Sequence, residues 1–393
     1  EYFHEDLATN IYINPGEDIN HNGIIDSGDF NGVDDDGNGF VDDVRGWDFS
    51  NYDPSVQAGE TNSSGSGTVH GTMVSGILGA AGNNGVGMSG VDWHTRILPI
   101  QALDDDSYGD SITVSRAIRY AADQQADVIS VSLGTAFEDS FIRSAMQYAL
   151  SKGAIVVVAA GNDGCDCMSY PARYPEAVAV GSIDQAGNRS GFSSYGAELD
   201  IVAPGQDMIT SSWSSTNQVS RYVSGAAGTS FSTPLVSGLL SRARAQQPNA
   251  SWDELLAGLI ESSDRTGLSV STPRSNTIGF GKARGGALLA RTTVAQTPAQ
   301  RYEFGYAQPS NDKGSSRAYQ CDANVAASTP FFRMFKNNQT VFTTSQYERV
   351  LASQSGWQVT ELAKICAGLP HDQPQSIRKL DVLREFYNQT SKQ

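Results

Sequence analysis

Residues 154–162 read Ala-Ile-Val-Val-Val-Ala-Ala-Gly-Asn. Seven apolar residues stand in a row with no polar alternation, so a strand here meets apolar neighbours on both faces. The run falls well short of the roughly 18–20 residues that a membrane-spanning helix needs, and no longer apolar run occurs. The same texture recurs outward along the chain. Arg96–Ala102, Asp127–Leu133 (DVISVSL) and Ala177–Ile183 read as strands, with a short one at Asp200–Ala203. Helical patterns separate them: His70–Ala81, Ile112–Gln124 with Ile112, Ala117, Ile118 and Ala121 apolar, Asp139–Ser151, Thr233–Gln247, and Ser251–Glu261, whose Ser251 and Glu254 make a capping box. Such strands alternating with helices predict an α/β fold whose mostly parallel sheet is covered on both faces, a three-layer arrangement. Gly279–Arg291 reads as one closing helix. The polar stretch Thr292–Gln300 reads as a linker into a small C-terminal unit at 301–393.

The net charge of −16 is uneven: residues 301–393 carry a net +3, and the rest of the chain −19. Ten aspartates fall between Asp18 and Asp53 inclusive, with Arg45 the only Lys or Arg among them. That density argues against nucleic acid as a partner and for bound cations, with a solvated acidic loop as the plain alternative. Of four cysteines, Cys165 and Cys167 look too close for an ordinary bridge, while Cys321 and Cys366 are candidates to staple the C-terminal segment. The first residue is Glu1, and no signal segment is present, so the chain is expected to be a processed or truncated piece.

Spacing within the acidic stretch points to calcium. Asp18, Asn20, Asn22, Asp26 and Asp29 occupy positions 1, 3, 5, 9 and 12 of a twelve-residue loop, with Gly23 at position 6, Ile24 offering its carbonyl at 7 and Ile25 apolar at 8. This is EF-hand-type spacing. Asp34, Asp36, Asn38, Gly39, Phe40 and Asp42 repeat it at 1, 3, 5, 6, 7 and 9, but Arg45 stands at position 12, so the second loop lacks its last carboxylate unless Asp43 contributes.

Three further segments carry chemistry only as a set. Gly228-Thr-Ser-Phe-Ser-Thr-Pro234 sets Ser230 at a helix start, His70-Gly-Thr-Met-Val-Ser-Gly76 opens a helix with a histidine, and Ala160-Gly161-Asn162 ends the buried strand. Each alone is more commonly a cap or a turn. Together, and in this order, they resemble the subtilisin-like serine proteases. The resemblance covers residues 1 to about 291 and implies a subtilisin-like fold and a serine endopeptidase. It makes His70 the general base, Ser230 the nucleophile and the Asn162 amide an oxyanion donor beside the Ser230 N–H. Ser132-Leu133-Gly134 matches the strand that pairs with the substrate backbone, Ser107-Tyr108-Gly109 sits where the family has the facing strand, and Ala160-Gly161 flank the oxyanion residue. Tyr170–Pro175, Phe192–Gly196 and Ala203–Gly205 are also similar. Val69, Met73, Phe231 and Leu235 depart from the family pattern at positions that shape packing or the pocket. The family also has a calcium site where Asp6, Asn84 and the carbonyls of Val86 and Met88 fall, and many exported members carry an Asp/Asn/Gly-rich insertion like residues 14–54.

One departure bears on catalysis. The family's aspartate precedes a His-x-Asp-Leu segment by seven residues, and His4-Glu5-Asp6-Leu7 therefore places it four residues before Glu1. Asp26-Ser27-Gly28 has the right three residues but lies in the first acidic loop and follows no apolar strand, so it is rejected as the triad acid. The chain as it stands is expected to be nearly inactive. An α/β-hydrolase esterase is disfavoured because Ser230 is not in a Gly-x-Ser-x-Gly elbow and His70 precedes it. A catalytically dead, calcium-dependent binding module remains the alternative. The resemblance further implies a secreted monomer with protein or peptide substrates and an upstream inhibitory propeptide.

Overall fold

A computed structural model describes residues 1–57, 69–214, 217–266 and 274–289, together with strand segments at 304–305, 317–318, 328–336, 339–343 and 358–366. The centre is a four-stranded parallel sheet of β3 (Val128–Val131), β4 (Ile155–Ala159), β5 (Ala177–Ile183) and β6 (Ile201–Pro204), paired in that order. β4 and β5 are buried at every position, as strands without polar alternation demand.

The pleat divides the core in two. Val156 and Val158 of β4 point to one face, where Val114 and Ile118 of α2 (Ser111–Asp123) and Ile142 and Met146 of α3 (Ser140–Ser151) cover them. Ile155 and Val157 point to the other, against Val236 and Leu240 of α4 (Thr229–Gln246) and Leu255 and Leu259 of α5 (Trp252–Ser262). These are the three layers expected from sequence. Asp110 and Asp139 cap α2 and α3 by accepting from backbone N–H groups of the first turn, and Ser251 with Glu254 forms the capping box of α5.

Two short strands, β1 (Trp47–Asp48) and β2 (Ile100–Gln101), pair in parallel outside the main sheet. The strand expected over Arg96–Ala102 thus shrinks to two residues, with Ile97 bridged to Ile11 instead. Between β2 and β3 lies a cavity of about 860 Å³, lined in part by Ile97, Ile100, Val114, Ile118, Ile129 and Val131. Glu1, His70 and Thr72 also line it.

Sequence reading missed the antiparallel hairpin of β7 (Met208–Ser214) and β8 (Val219–Ala226), whose Ser- and Thr-rich strands lack a clean apolar alternation. β7 packs against α1 (His70–Gly79): Thr210 and Ser211 donate to the carbonyls of Met73 and Thr72. α4 begins four residues earlier than expected and carries Pro234 inside it. Among the described residues the closing helix begins only at α6 (Gly285–Leu289), because Gly279 and Gly281 have positive φ and the chain from 278 to 283 turns and bridges back to Asp264 and Val202. Cys165 and Cys167 are joined in a disulfide with Cα atoms 5.1 Å apart, which corrects the expectation that one intervening residue is too few. The bridge considered for Cys366 involves Cys321, which lies outside the described residues.

Beyond residue 300, β9 (Phe304–Gly305) pairs with β10 (Arg317–Ala318), and β11 (Ser328–Lys336) pairs antiparallel with both β12 (Gln339–Thr343) and β13 (Gln358–Cys366). Among the described residues, no helix is long and apolar enough to cross a membrane.

The contact of α1 with β7 is close enough to test. A Cβ on Gly76 would sit 2.1 Å from Ser211 Oγ and 2.9 Å from Ser211 Cβ. Gly76→Ala is expected to destabilise the protein by about 1–3 kcal/mol through overpacking, read as a lower urea midpoint.

Candidate active site

The site collects where parallel strands end, the usual place for function in open α/β sheets. β4 runs into Gly161-Asn162, β3 into Ser132-Leu133-Gly134, and α4 begins at Thr229, one residue before Ser230. His70 is the first residue of α1, and α1 packs against α4.

Asn162 is held by the residue that precedes the candidate nucleophile. Its Oδ1 accepts from the Thr229 backbone N–H at 2.8 Å and from Thr229 Oγ1 at 3.0 Å, while Gly161 N–H donates to Thr229 Oγ1 at 3.2 Å. With Oδ1 committed, Nδ2 is the part of the carboxamide left to donate elsewhere. Gly161 makes this approach possible: its φ is +106°, and a Cβ there would lie 2.6 Å from Ser169 Oγ. Ala160 is fully buried, its N–H bonded to Val180.

Ser230 is half-buried at the amino end of an eighteen-residue helix, where the backbone dipole favours developing negative charge. Pro234 has no N–H to give to the Ser230 carbonyl four residues back. Ser132 Oγ donates to that carbonyl instead, at 3.0 Å. The start of α4 is thereby tied to the segment that follows β3.

The His70 ring lies 6.0 Å, centroid to centroid, from the ring of Phe231. Burial pushes the His70 imidazole below its ordinary value near 6.5, so the neutral form that accepts a proton predominates at neutral pH. Among the described residues, no carboxylate hydrogen-bonds to His70, and His70 and Ser230 are not hydrogen-bonded to each other.

Ser107, Tyr108 and Gly109 lie on an exposed loop before α2, closed by hydrogen bonds from Ser107 and Tyr108 back to Asp104. Tyr108 is 76% exposed. Ser107, Ser132, Leu133 and His70 share the lining of one cavity.

The two acidic loops repeat each other's hydrogen bonds. Asp18 accepts from the N–H groups of Asn22 and Gly23, and Asp34 from those of Asn38 and Gly39. Asn20, Asn22, Asp36 and Asn38 each accept from the N–H two residues on. Gly23 and Gly39 both take positive φ at position 6. Asp26 accepts from Gly28, and Asp29 from Asp26. The loops differ at their ends. Asp42 accepts from Asn31 and Gly32, and Asp43 is buried with Tyr120, Asn14, Asn38 and Gln124 as donors. Asp6 is also fully buried, bonded to Asn84 Nδ2, Met88 N and Tyr222 Oη.

Sequence reading named Thr229 and Ser132 but not their hydrogen bonds, and it passed over Glu17. Glu17 is fully buried, and that burial pushes its carboxyl up to about 7 against the opposing N–H groups of Asp36 and Asp35. A carboxylate beside the first loop was visible in the sequence, but nothing local marked it as buried.

A serine at a helix start, a histidine on the adjoining helix and an amide locked to the residue before the serine thus stand together at the ends of the parallel strands. The chain belongs to the subtilase family, whose model matches residues 1–306. It is 42% identical to thermitase of Thermoactinomyces vulgaris over 209 residues, 53% of this chain and 70% of thermitase. It is 39% identical to subtilisin BL of Lederbergia lenta, across 48% of this chain and 67% of the relative. A thermophilic serine proteinase of Bacillus sp. strain AK1 is also 39% identical, but only 48% of its length is spanned. Among solved structures, a protease from Pseudoalteromonas arctica superposes with a TM-score of 0.54 at 27% identity, covering 62% of this chain and 83% of that one.

Ser132→Ala would leave the Ser230 carbonyl without its side-chain donor. The substitution is expected to cost about 1–3 kcal/mol of stability, measured by urea denaturation.

Proposed function

We propose that this protein cleaves peptide bonds through an acyl-enzyme on Ser230. The observation that carries this reading is the lock between Asn162 and Thr229, which fixes an amide donor one residue from the nucleophile. Ser230 Oγ adds to the scissile carbonyl while His70 takes its proton. The Asn162 Nδ2 and the Ser230 N–H stabilise the oxyanion, a term worth about 10²–10³ in turnover per donor. His70 then returns the proton to the leaving amine, and water repeats the sequence to release the acid. Ser132–Gly134 and Ser107–Gly109 hold the substrate backbone between them, with Ala160 and Gly161 beside the oxyanion.

The triad acid comes from a segment preceding Glu1. Support for this is the cavity between β2 and β3, whose lining includes His70 and Glu1 together with the apolar Ile97, Ile100, Ile129 and Val131. Four residues of extended chain span about 13–14 Å. An upstream strand seated there would pair with both flanking strands and bring its carboxylate toward the imidazole, holding the productive tautomer. A neutral replacement of such an aspartate costs about 10⁴ in turnover with geometry intact. The 393-residue chain is therefore expected to hydrolyse casein barely above background, and a form restored with its upstream segment to be at least about 10⁴-fold faster. A fluorophosphonate should label Ser230 of the restored form and leave Ser230→Ala unlabelled. Robust proteolysis by the shorter chain would show that another carboxylate serves His70.

Calcium is the structural ion of this reading, at the loops beginning at Asp18 and Asp34 and at Asp6–Asn84. Oxygen-only donors and the repeated loop hydrogen bonds support it. Extracellular modules bind calcium at about 10⁻⁴–10⁻³ M. Millimolar calcium then adds on the order of 1 kcal/mol per site. The melting temperature is expected to fall by several degrees in excess EDTA; equal midpoints with and without calcium would overturn this reading.

A further inference from the structure

The second acidic loop ends in the wrong residue for an ion site. Arg45, at its twelfth position, is turned to aromatic neighbours, its guanidinium 4.0 Å from the Tyr2 ring centroid and 5.3 Å from that of Phe30. Asp42 and Asp43, the nearest acids, are committed to hydrogen bonds elsewhere in the fold.

Glu17 comes to this loop from outside it. A carboxylate oxygen of each of Glu17, Asp34 and Asp36 lies within 4.8 Å of the others. The approach is built in. Gly16 lets Asp36 pass so close that a Cβ on it would lie 2.3 Å from Asp36 Cβ, and the buried Asn14 donates to Asp36 at 2.9 Å. Glu17 Oε1 accepts from the N–H groups of Asp35 and Asp36, at 3.0 and 3.3 Å. Its Oε2 is buried with no hydrogen-bond partner among the described residues.

A buried carboxylate oxygen with nothing to bind is costly, and such atoms call for a counter-charge. Only one other carboxylate oxygen among the described residues shares this condition: Oδ1 of Asp29, the twelfth residue of the first loop. Each loop thus has one orphaned, buried carboxylate oxygen, in the first from its own twelfth position and in the second from Glu17.

We propose that Glu17 is the missing twelfth-position ligand of the second loop, completing a divalent-cation site with Asp34, Asp36, Asn38 and the Phe40 carbonyl. The ion is calcium: the donors are all oxygen, and loops of this spacing supply the six to eight ligands that calcium takes. Glu17 directly precedes Asp18, the first ligand of the first loop, so adjacent residues serve two ions. This inference rests on reading the second loop as a cation site and adds a ligand that its own sequence lacks.

The test counts calcium on the purified chain, stripped with EGTA and dialysed against ⁴⁵Ca²⁺, for wild type, Glu17→Gln, Asp34→Asn and Asp35→Asn, the last at a neighbouring acid outside the ligand set. Glu17→Gln and Asp34→Asn should each lose one equivalent, or bind it more than about 100-fold more weakly. That exceeds the 10–100-fold typical of a residue that only supports a ligand. Asp35→Asn should keep the wild-type count. Melting in EGTA separates ligation from folding. Glu17→Gln should melt there no lower than wild type, because it removes an unpaired buried charge, and should lose stability only with calcium present. If Asp34→Asn loses an ion and Glu17→Gln does not, the loop reading stands and the role of Glu17 falls. If neither loses one, both fall. A Glu17→Gln protein destabilised equally in EGTA and in calcium would also overturn the proposal.

Discussion

Strand β4 has no water on either face, and the positions of the reactive groups follow from that. Ile155 and Val157 pack against α4 and α5 while Val156 and Val158 pack against α2 and α3, so the strand has no freedom to slide or rotate. It therefore delivers Gly161 and Asn162 at a fixed height above the sheet. α4 is pinned to the same four strands and brings Thr229 to meet Asn162. Core packing and the placement of the Asn162 amide are in this sense one arrangement. A residue that loosened the far end of β4 would act on the amide that must not move.

The acidic lobe is governed by a different term. Its aspartates fold the loops by accepting backbone N–H groups, which fixes their shape before any ion arrives. That preformation lowers the ordering cost of binding, while repulsion among the carboxylates opposes the empty state. The loops are anchored to the catalytic unit through Asp43, buried against Tyr120 of α2. That contact joins the lobe to the helix that follows the exposed Ser107–Gly109 loop.

The parallel sheet was legible because unalternated runs such as Ala154–Ala160 admit few readings, and the helices between them carried caps. The β7–β8 hairpin was not, because Thr210, Ser211 and Ser212 are buried through contacts with α1 that local sequence does not encode. The start of α4 was misplaced because Pro234 reads as a first-turn residue, whereas it sits in the sixth place and its missing N–H is offset by Ser132. His70, Ser230 and Asn162 stood out as motifs, but the hydroxyl of Thr229 that joins two of them is a tertiary contact. Glu17 was hidden for the same reason: spacing finds ligands within a loop, and this carboxylate belongs to the residue before another one.

The pairing of Ser132 with Pro234 also constrains how this sequence can change. Pro234 is accommodated inside α4 because the hydroxyl of Ser132, ninety-eight positions before Ser230, serves the Ser230 carbonyl. If the serine drifts first, that carbonyl is stranded; if the proline is first replaced by a residue with an N–H, the helix supplies its own donor and the serine becomes dispensable. The order of substitution thus decides which path is open. Two sites that look independent along the chain are joined by a single oxygen atom.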